Sequence, residues 1–288
     1  QFINEIRLLR KEATAYNNKP SDYVARSTAI LFNHENAWSI ERQKQNATWN
    51  TMAHIEKYYR TLKSFGAPVD FITEEKDFNR YPVMIVPAYQ LADEPLVSRW
   101  VDYVRKGGNL VVTCRTAQKD RYGRLPEAAF GSLINGLTGN KMDFYDLLLP
   151  GDPGLVKMDG KEYQWNTWGE ILIPGETSEV WATYQKEFYD GKPAVTHYKL
   201  GKGSVTYVGV DSFDGKLEAE ILKKLYARLG IGVQSLPYGV TMEYRNGLGI
   251  VLNYSDQPYQ FTLPKGGKVL IGNTLISTAG VLVFKLNN

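Results

Sequence analysis

The stretch Ser27–Trp38 reads S-T-A-I-L-F-N-H-E-N-A-W, an apolar run that stops in His34-Glu35-Asn36, with an aromatic at Trp38. Polar groups at the end of a buried parallel strand lie where open α/β sheets bind ligands. A histidine beside a glutamate can supply a general base and its partner. Adjacent residues on an extended chain point in opposite directions, however. The same residues therefore also read as a strand cap that fixes the following loop, or as part of an interface.

Cys114 ends a second apolar run, where α/β enzymes place a nucleophile on a tight turn. Such an elbow needs small neighbours, as in G-x-S-x-G, and the flanks here are Val112-Thr113 and Arg115-Thr116-Ala117. Arg115 would lower a thiol pKa, but no glycine supplies the turn, so a buried structural cysteine is expected. Glycoside hydrolysis needs two carboxyl groups facing each other across a sugar. Glu74-Glu75 reads as exposed, Asp93 (before Glu94) as a helix cap, and Asp211 with Asp214 as a further acidic pair; none is placed for that chemistry. Trp165 and Trp168 read either as a sugar-stacking platform or as anchors for a long excursion. His34, His54 and His197 are the only histidines and are too scattered for a metal site; no cofactor is expected.

The elements that would position these residues follow from periodicity. Residues 1–20 carry a helical pattern that loosens into Asn17-Asn18-Lys19-Pro20. Thr28–Asn33, Val69–Thr73, Val83–Pro87 and Asn109–Cys114 read as strands. Between them lie a helix over Asn46–Phe65, with Trp49, Met52, Tyr59 and Leu62 near one face, and a helix capped by Asp93 and closed at Gly107. This alternation predicts a parallel sheet with helices on both faces. Residues 115–175 read as a long excursion of short irregular elements. Val180–Tyr184, Ala194–Leu200 and Ser204–Val210 read as strands, the last two joined by a hairpin at Gly201-Lys202-Gly203. A last helix runs over Asp214–Leu229. Beyond Gly232, dense turns separate the short strands Val240–Tyr244, Leu248–Tyr254, Tyr259–Leu263, Lys268–Ile271 and Val281–Leu286, which predicts a small antiparallel β domain.

Composition narrows the classes. The 288 residues are 43% hydrophobic and 23% charged, with a net charge of +3. No block of like charge supports nucleic-acid or membrane binding. One cysteine excludes an internal disulfide. No apolar run reaches the length of a membrane span, and no signal peptide is recognisable. The chain opens on Gln1 inside a helical pattern, which reads as a piece of a longer protein.

The order of pieces resembles the C-terminal half of a family 42 glycoside hydrolase, a bacterial β-galactosidase. The matching segments are A-I-L-F-N-H-E-N-A-W at 29–38, Y-Y-R-T-L-K-S-F-G-A-P-V-D-F-I at 58–72 and V-M-I-V-P-A-Y at 83–89. Y-V-R-K-G-G-N-L-V-V-T at 103–113, G-K-G-S-V-T-Y-V-G at 201–209 and G-I-V-L-N-Y-S-D-Q-P at 249–258 complete the set. The resemblance implies a linker helix over 1–24 from a preceding TIM barrel and an α/β trimerisation domain over 25–231. That domain would be flavodoxin-like, similar to a class I glutamine amidotransferase without its active site. A C-terminal antiparallel β domain over 232–288 would follow.

Both catalytic carboxylates would then lie in the barrel, so no residue of this chain is carried over as catalytic. The fragment alone is expected to be inactive. His34, Glu35, Asn36 and Trp38 remain as substrate-binding or interface candidates, with His34 a departure from the residue common in the family before E-N. The implied partners are further copies of the same chain, as a trimer, with galactoside met only through the barrel. The implied compartment is the cytoplasm, or the periplasm or exterior if the parent carries a signal. Readings of another class are a stand-alone amidotransferase-like hydrolase using Cys114 or His34, and a carbohydrate-binding module using Trp38, Trp165 or Trp168.

Overall fold

The computed structural model describes residues 2–15, 27–66, 69–127, 131–149, 151–245 and 247–285, and these divide into two compact units. The larger comprises Ser27–Thr61 and Val69–Ile231; the smaller comprises Gln1–Arg26, Leu62–Pro68 and Gly232–Asn288.

The chain begins with helix α1 (Phe2–Ala15); the expected linker at Asn17–Pro20 lies outside the described residues. The larger unit opens with β1 (Thr28–Leu31), α2 (His34–Arg42), α3 (Thr51–Ser64) as far as Thr61, and β2 (Val69–Ile72). It continues through β3 (Val83–Val86), α4 (Glu94–Arg105) and β4 (Asn109–Thr113), then a short α5 (Asn135–Thr138). Strands β5 (Asn140–Asp146), β6 (Gly154–Met158), β7 (Lys161–Pro174), β8 (Glu179–Gln185) and β9 (Pro193–Leu200) come next. They are followed by β10 (Gly203–Val208), β11 (Val210–Ser212) and α6 (Lys216–Arg228).

One eleven-stranded sheet runs through this unit in the order β11-β7-β6-β8-β9-β10-β4-β3-β1-β2, with β5 on β7. Strands β2, β1, β3, β4 and β10 are parallel, in the order of doubly wound folds. Side-chain alternation explains the two covered faces. Ala29, Leu31, Met84, Val86, Leu110 and Val112 share a core with Leu96, Trp100 and Val104 of α4. On the other face, Thr28 of β1 hydrogen-bonds Tyr226 of α6. Asp93 caps α4 as expected, its carboxylate accepting from the Leu96 amide at 3.0 Å.

Two sequence expectations need correction. The excursion over 115–175 is regular from Asn140 onward, because β5, β6 and β7 pair antiparallel and extend the sheet well beyond its parallel half. In β5 and β6 buried and more exposed residues alternate, which dilutes the apolar density that marks a fully buried strand. The helix expected over Asn46–Phe65 starts at Thr51; Trp49 before it and Leu62 within it are buried as expected, but its buried stripe also takes Thr51, His54, Ile55 and Tyr58, while Met52 is 55% and Tyr59 36% exposed. The hairpin at 201–203 holds: β9 and β10 pair antiparallel across it. Gly203 is required there, since a Cβ would lie 2.0 Å from the Gly108 carbonyl oxygen.

In the smaller unit, β12 (Val240–Arg245), β13 (Leu248–Asn253), β14 (Tyr259–Gln260), β15 (Lys268–Ile271), β16 (Leu275–Ile276) and β17 (Val281–Lys285) follow one another. They form an antiparallel sheet in the order β12-β13-β17-β15 and a separate β14-β16 pair. Val240, Met242, Val251, Phe261, Leu282 and Phe284 make the core. The expected Leu286 end of the last strand lies outside the described residues. Among the described residues no helix is long and apolar enough to cross a membrane.

Candidate functional site

The carboxyl edge of β1, β3 and β4 is where a doubly wound sheet would hold a ligand. His34-Glu35-Asn36 does not continue the strand there. It opens α2, with the Asn33 side chain capping by accepting from the Asn36 amide at 3.1 Å. A helix turns about 100° per residue, so neighbours diverge and residues four apart align. Accordingly His34 and Glu35 are exposed without facing each other, and His34 aligns with Trp38, their ring centroids 5.7 Å apart. Asn36 alone turns inward. Its amide donates to the Ala88 carbonyl at 3.0 Å and accepts from the Leu91 amide at 3.1 Å, stitching α2 to the loop after β3.

Cys114 is fully buried at the end of β4. Burial, then the carboxylates Glu170 and Asp211, push its thiol well above the usual range. A tight turn does follow, contrary to expectation: Arg115 adopts φ 68° and Ala117 φ 55° without any glycine. The residue at the elbow is thus an arginine, and it points into the protein.

The Arg115 guanidinium lies 4.6 Å from the Trp49 ring and 4.4 Å from the Trp168 ring. It donates to the Lys44 carbonyl at 2.9 Å, the Gln43 carbonyl at 3.4 Å and Gln45 Oε1 at 2.9 Å. Burial lowers its pKa to about 10, still far above neutrality. The Arg115 amide donates to Glu170, which also accepts from Gln118, Trp168 and Tyr207. Burial raises the Glu170 pKa in spite of these donors. The crevice at the sheet edge is therefore filled by the protein's own side chains.

Beneath this plug lies an arrangement that no local spacing announces. His54 Nδ1 is 2.7 Å from Asp211 Oδ1, and His54 Nε2 is 2.8 Å from Thr113 Oγ1. Hydroxyl, imidazole and carboxylate in line is the geometry of a hydrolytic triad. Three observations remove the chemistry. Thr113 is 0% and His54 1% exposed, so no substrate reaches the hydroxyl. The Ala88 amide donates to Thr113 Oγ1 at 2.7 Å, occupying it. Lys57 also binds Asp211, at 2.7 Å. Burial works to raise the Asp211 pKa, but Lys57 and the His54 hydrogen bond hold it below the usual carboxylate range. Along the sequence His54 is only one of three scattered histidines, off the helix face expected to be buried. The partners lie 59 and 157 residues away.

The remaining candidates are structural. Trp165 and Trp168 are 1% and 0% exposed, which overturns the sugar platform; Trp168 stacks on Tyr145 at 4.6 Å. Glu74 is half-buried, held by Tyr89 and by Arg121 at 2.8 and 2.7 Å, and Arg121 also binds Asp93. Glu75 is exposed as expected. His197 stacks on Trp181 at 4.4 Å, and among the described residues no group of His, Cys, Asp and Glu could hold a metal ion. A cleft of about 480 Å³ lies at the opposite, amino end of β3 and β4, lined by Arg80, Pro82, Lys106 and Gly108. None of the residues lining it belongs to the groups above.

These features define an α/β domain built on a mixed parallel and antiparallel sheet with a closed carboxyl edge, followed by a small antiparallel β domain. Residues 26–235 match the β-galactosidase trimerisation domain and residues 239–286 the β-galactosidase C-terminal domain. The chain belongs to the glycoside hydrolase family 42 β-galactosidases, of which it represents the C-terminal portion.

It is 29% identical over 255 residues to β-galactosidase BgaH of Haloferax lucentense, covering 88% of this chain and 38% of that protein. It is 27% identical over 263 residues to GanA of Bacillus subtilis, covering 87% and 38%. The crystal structure of a β-galactosidase from Marinomonas ef1 superposes with a TM-score of 0.83 at 21% identity, over 97% of this chain and 42% of that one. That of the Bacillus circulans sp. alkalophilus enzyme gives 0.81 at 21% identity, over 99% and 45%. The chain thus spans about two fifths of the length of the relatives it matches.

Proposed function

We propose that this chain is the non-catalytic assembly portion of a β-galactosidase, joining copies of a larger enzyme into a trimer. The observation that carries the reading is the match of 26–235 to a trimerisation domain. The closed sheet edge supports it: Cys114, Thr113 and His54 are sealed, and Arg115 fills the crevice.

In this reading 1–24 is a linker helix, 25–231 the assembly domain and 232–288 the terminal β domain. His34, Glu35 and Trp38 act at an interface, with Asn36 fixing the helix that carries them. Catalysis, a retaining double displacement at terminal β-galactosides by two carboxyl groups, belongs to a barrel domain of the parent. A chromogenic β-galactoside offered to this chain gives no turnover above buffer; clear turnover overturns the reading.

A further inference from the structure

Five rings form a continuous row over β1, α2, β2 and α3. Trp38 meets His34 at 5.7 Å, His34 meets Phe32 at 4.8 Å, Phe32 meets Phe71 at 6.4 Å, and Phe71 meets Tyr59 at 5.6 Å. All belong to the larger unit. Trp38 is 61%, Phe71 50% and Tyr59 36% exposed, and Met52, two turns before Tyr59 on α3, is 55% exposed. Elsewhere in that unit the strongly exposed rings of Tyr122, Phe188 and Phe213 sit on separate loops.

The row is built as a protein contact. Its neighbouring rings meet edge-on or tilted, so they offer no flat platform for a sugar face. The exposed parts of these side chains amount to roughly 400 Å² of apolar surface, about half of what each partner contributes to a standard interface. Exposed Trp, Phe and Tyr rings in one row, flanked by charged residues, have the composition of an energetic hot spot and its rim. Glu35, Arg42 and the Glu56–Arg60 pair supply that rim.

We infer that this row is the surface through which one copy of the chain contacts the next. The inference rests on the assembly reading and adds where the contact is made. A closed trimer uses a heterologous contact, so the row meets a different face of its neighbour and not its own image.

Static light scattering of the 288-residue chain over a concentration series tests this, alongside Trp38→Glu, Phe71→Glu and the control Phe188→Glu. Circular dichroism checks that each variant keeps its fold, which the exposure of these positions permits. The expected result is self-association by the wild type and by Phe188→Glu, with both row variants reduced to the mass of one chain. Association that survives in both row variants overturns the row and leaves the assembly reading standing. A wild type that stays single at every concentration overturns both. Saturable quenching of tryptophan fluorescence by lactose, lost in Trp38→Glu, would make the row a sugar surface and also overturn the contact.

Discussion

His54 shows how a residue can carry the geometry of catalysis and do structural work. It ties β4 to the segment after β10 through Thr113 and Asp211, and both ring nitrogens, Thr113 Oγ1 and Asp211 Oδ1 each have a partner. Replacing it by alanine leaves a buried hydroxyl and a buried carboxylate each short of a hydrogen bond. His54→Ala is therefore expected to cost roughly 2–4 kcal/mol, read from the urea midpoint. His197 makes a prediction in pH. Burial first, then the charge of Arg228, lowers its pKa from 6.5 to about 4. The unfolded chain therefore takes up the proton before the folded one, and stability falls as pH drops from 6.5 and levels off near 4. His197→Gln keeps a polar atom for Thr206 and removes that titration. Urea midpoints of the variant should change less between these pH values than those of the wild type; equal slopes would refute the assignment.

At the scale of elements, Arg115 is the latch of the closed edge. Its guanidinium holds the segment after α2 by the carbonyls of Gln43 and Lys44 and fills the angle between Trp49 and Trp168. Arg115→Ala should expose residues 43–50 to hydrogen exchange at least about tenfold faster while β3 and β4 stay protected, because local opening follows lost local contacts. Gly203→Ala places a methyl against two backbone carbonyls, and should cost at least ~2 kcal/mol in thermal or urea unfolding. These two residues also mark what the sequence revealed. The parallel strands, α4 with its Asp93 cap and the hairpin at 201–203 follow from periodicity and turn chemistry, which are local. Helix α2 is masked by the apolar run before it, which reads as a strand through Asn33, although Asn33 followed by His34-Glu35-Asn36 is a cap and a first turn. The plug was hidden for a different reason. Arg115, Trp49, Trp168 and Glu170 are brought together by the sheet, and no spacing along the chain encodes their meeting. Of the four candidates at 34–38, only the inward turn of Asn36 needed the fold to explain it; the exposure of the others follows from helical phase.

At the scale of the whole molecule, the single cysteine offers a direct reading of whether the sheet edge is closed. Cys114 lies between β3 and β10 in the middle of the larger unit's sheet, fully buried, and burial keeps its thiol protonated. A thiol reagent therefore meets two barriers in the native protein, lack of access and lack of thiolate. Reaction with an aromatic disulfide reagent should proceed only through opening of the sheet, at least on the order of 10³-fold slower than for the unfolded chain. The rate should rise with urea along the same curve as the loss of tertiary signal, and His54→Ala should accelerate it by the factor its destabilisation predicts. One equivalent should react at once in strong denaturant, which fixes the end point. Labelling within seconds in the absence of denaturant would mean that solvent reaches the end of β4. The edge would then be an open crevice, and a hydrolase built on Cys114 would return as the better account of the fold.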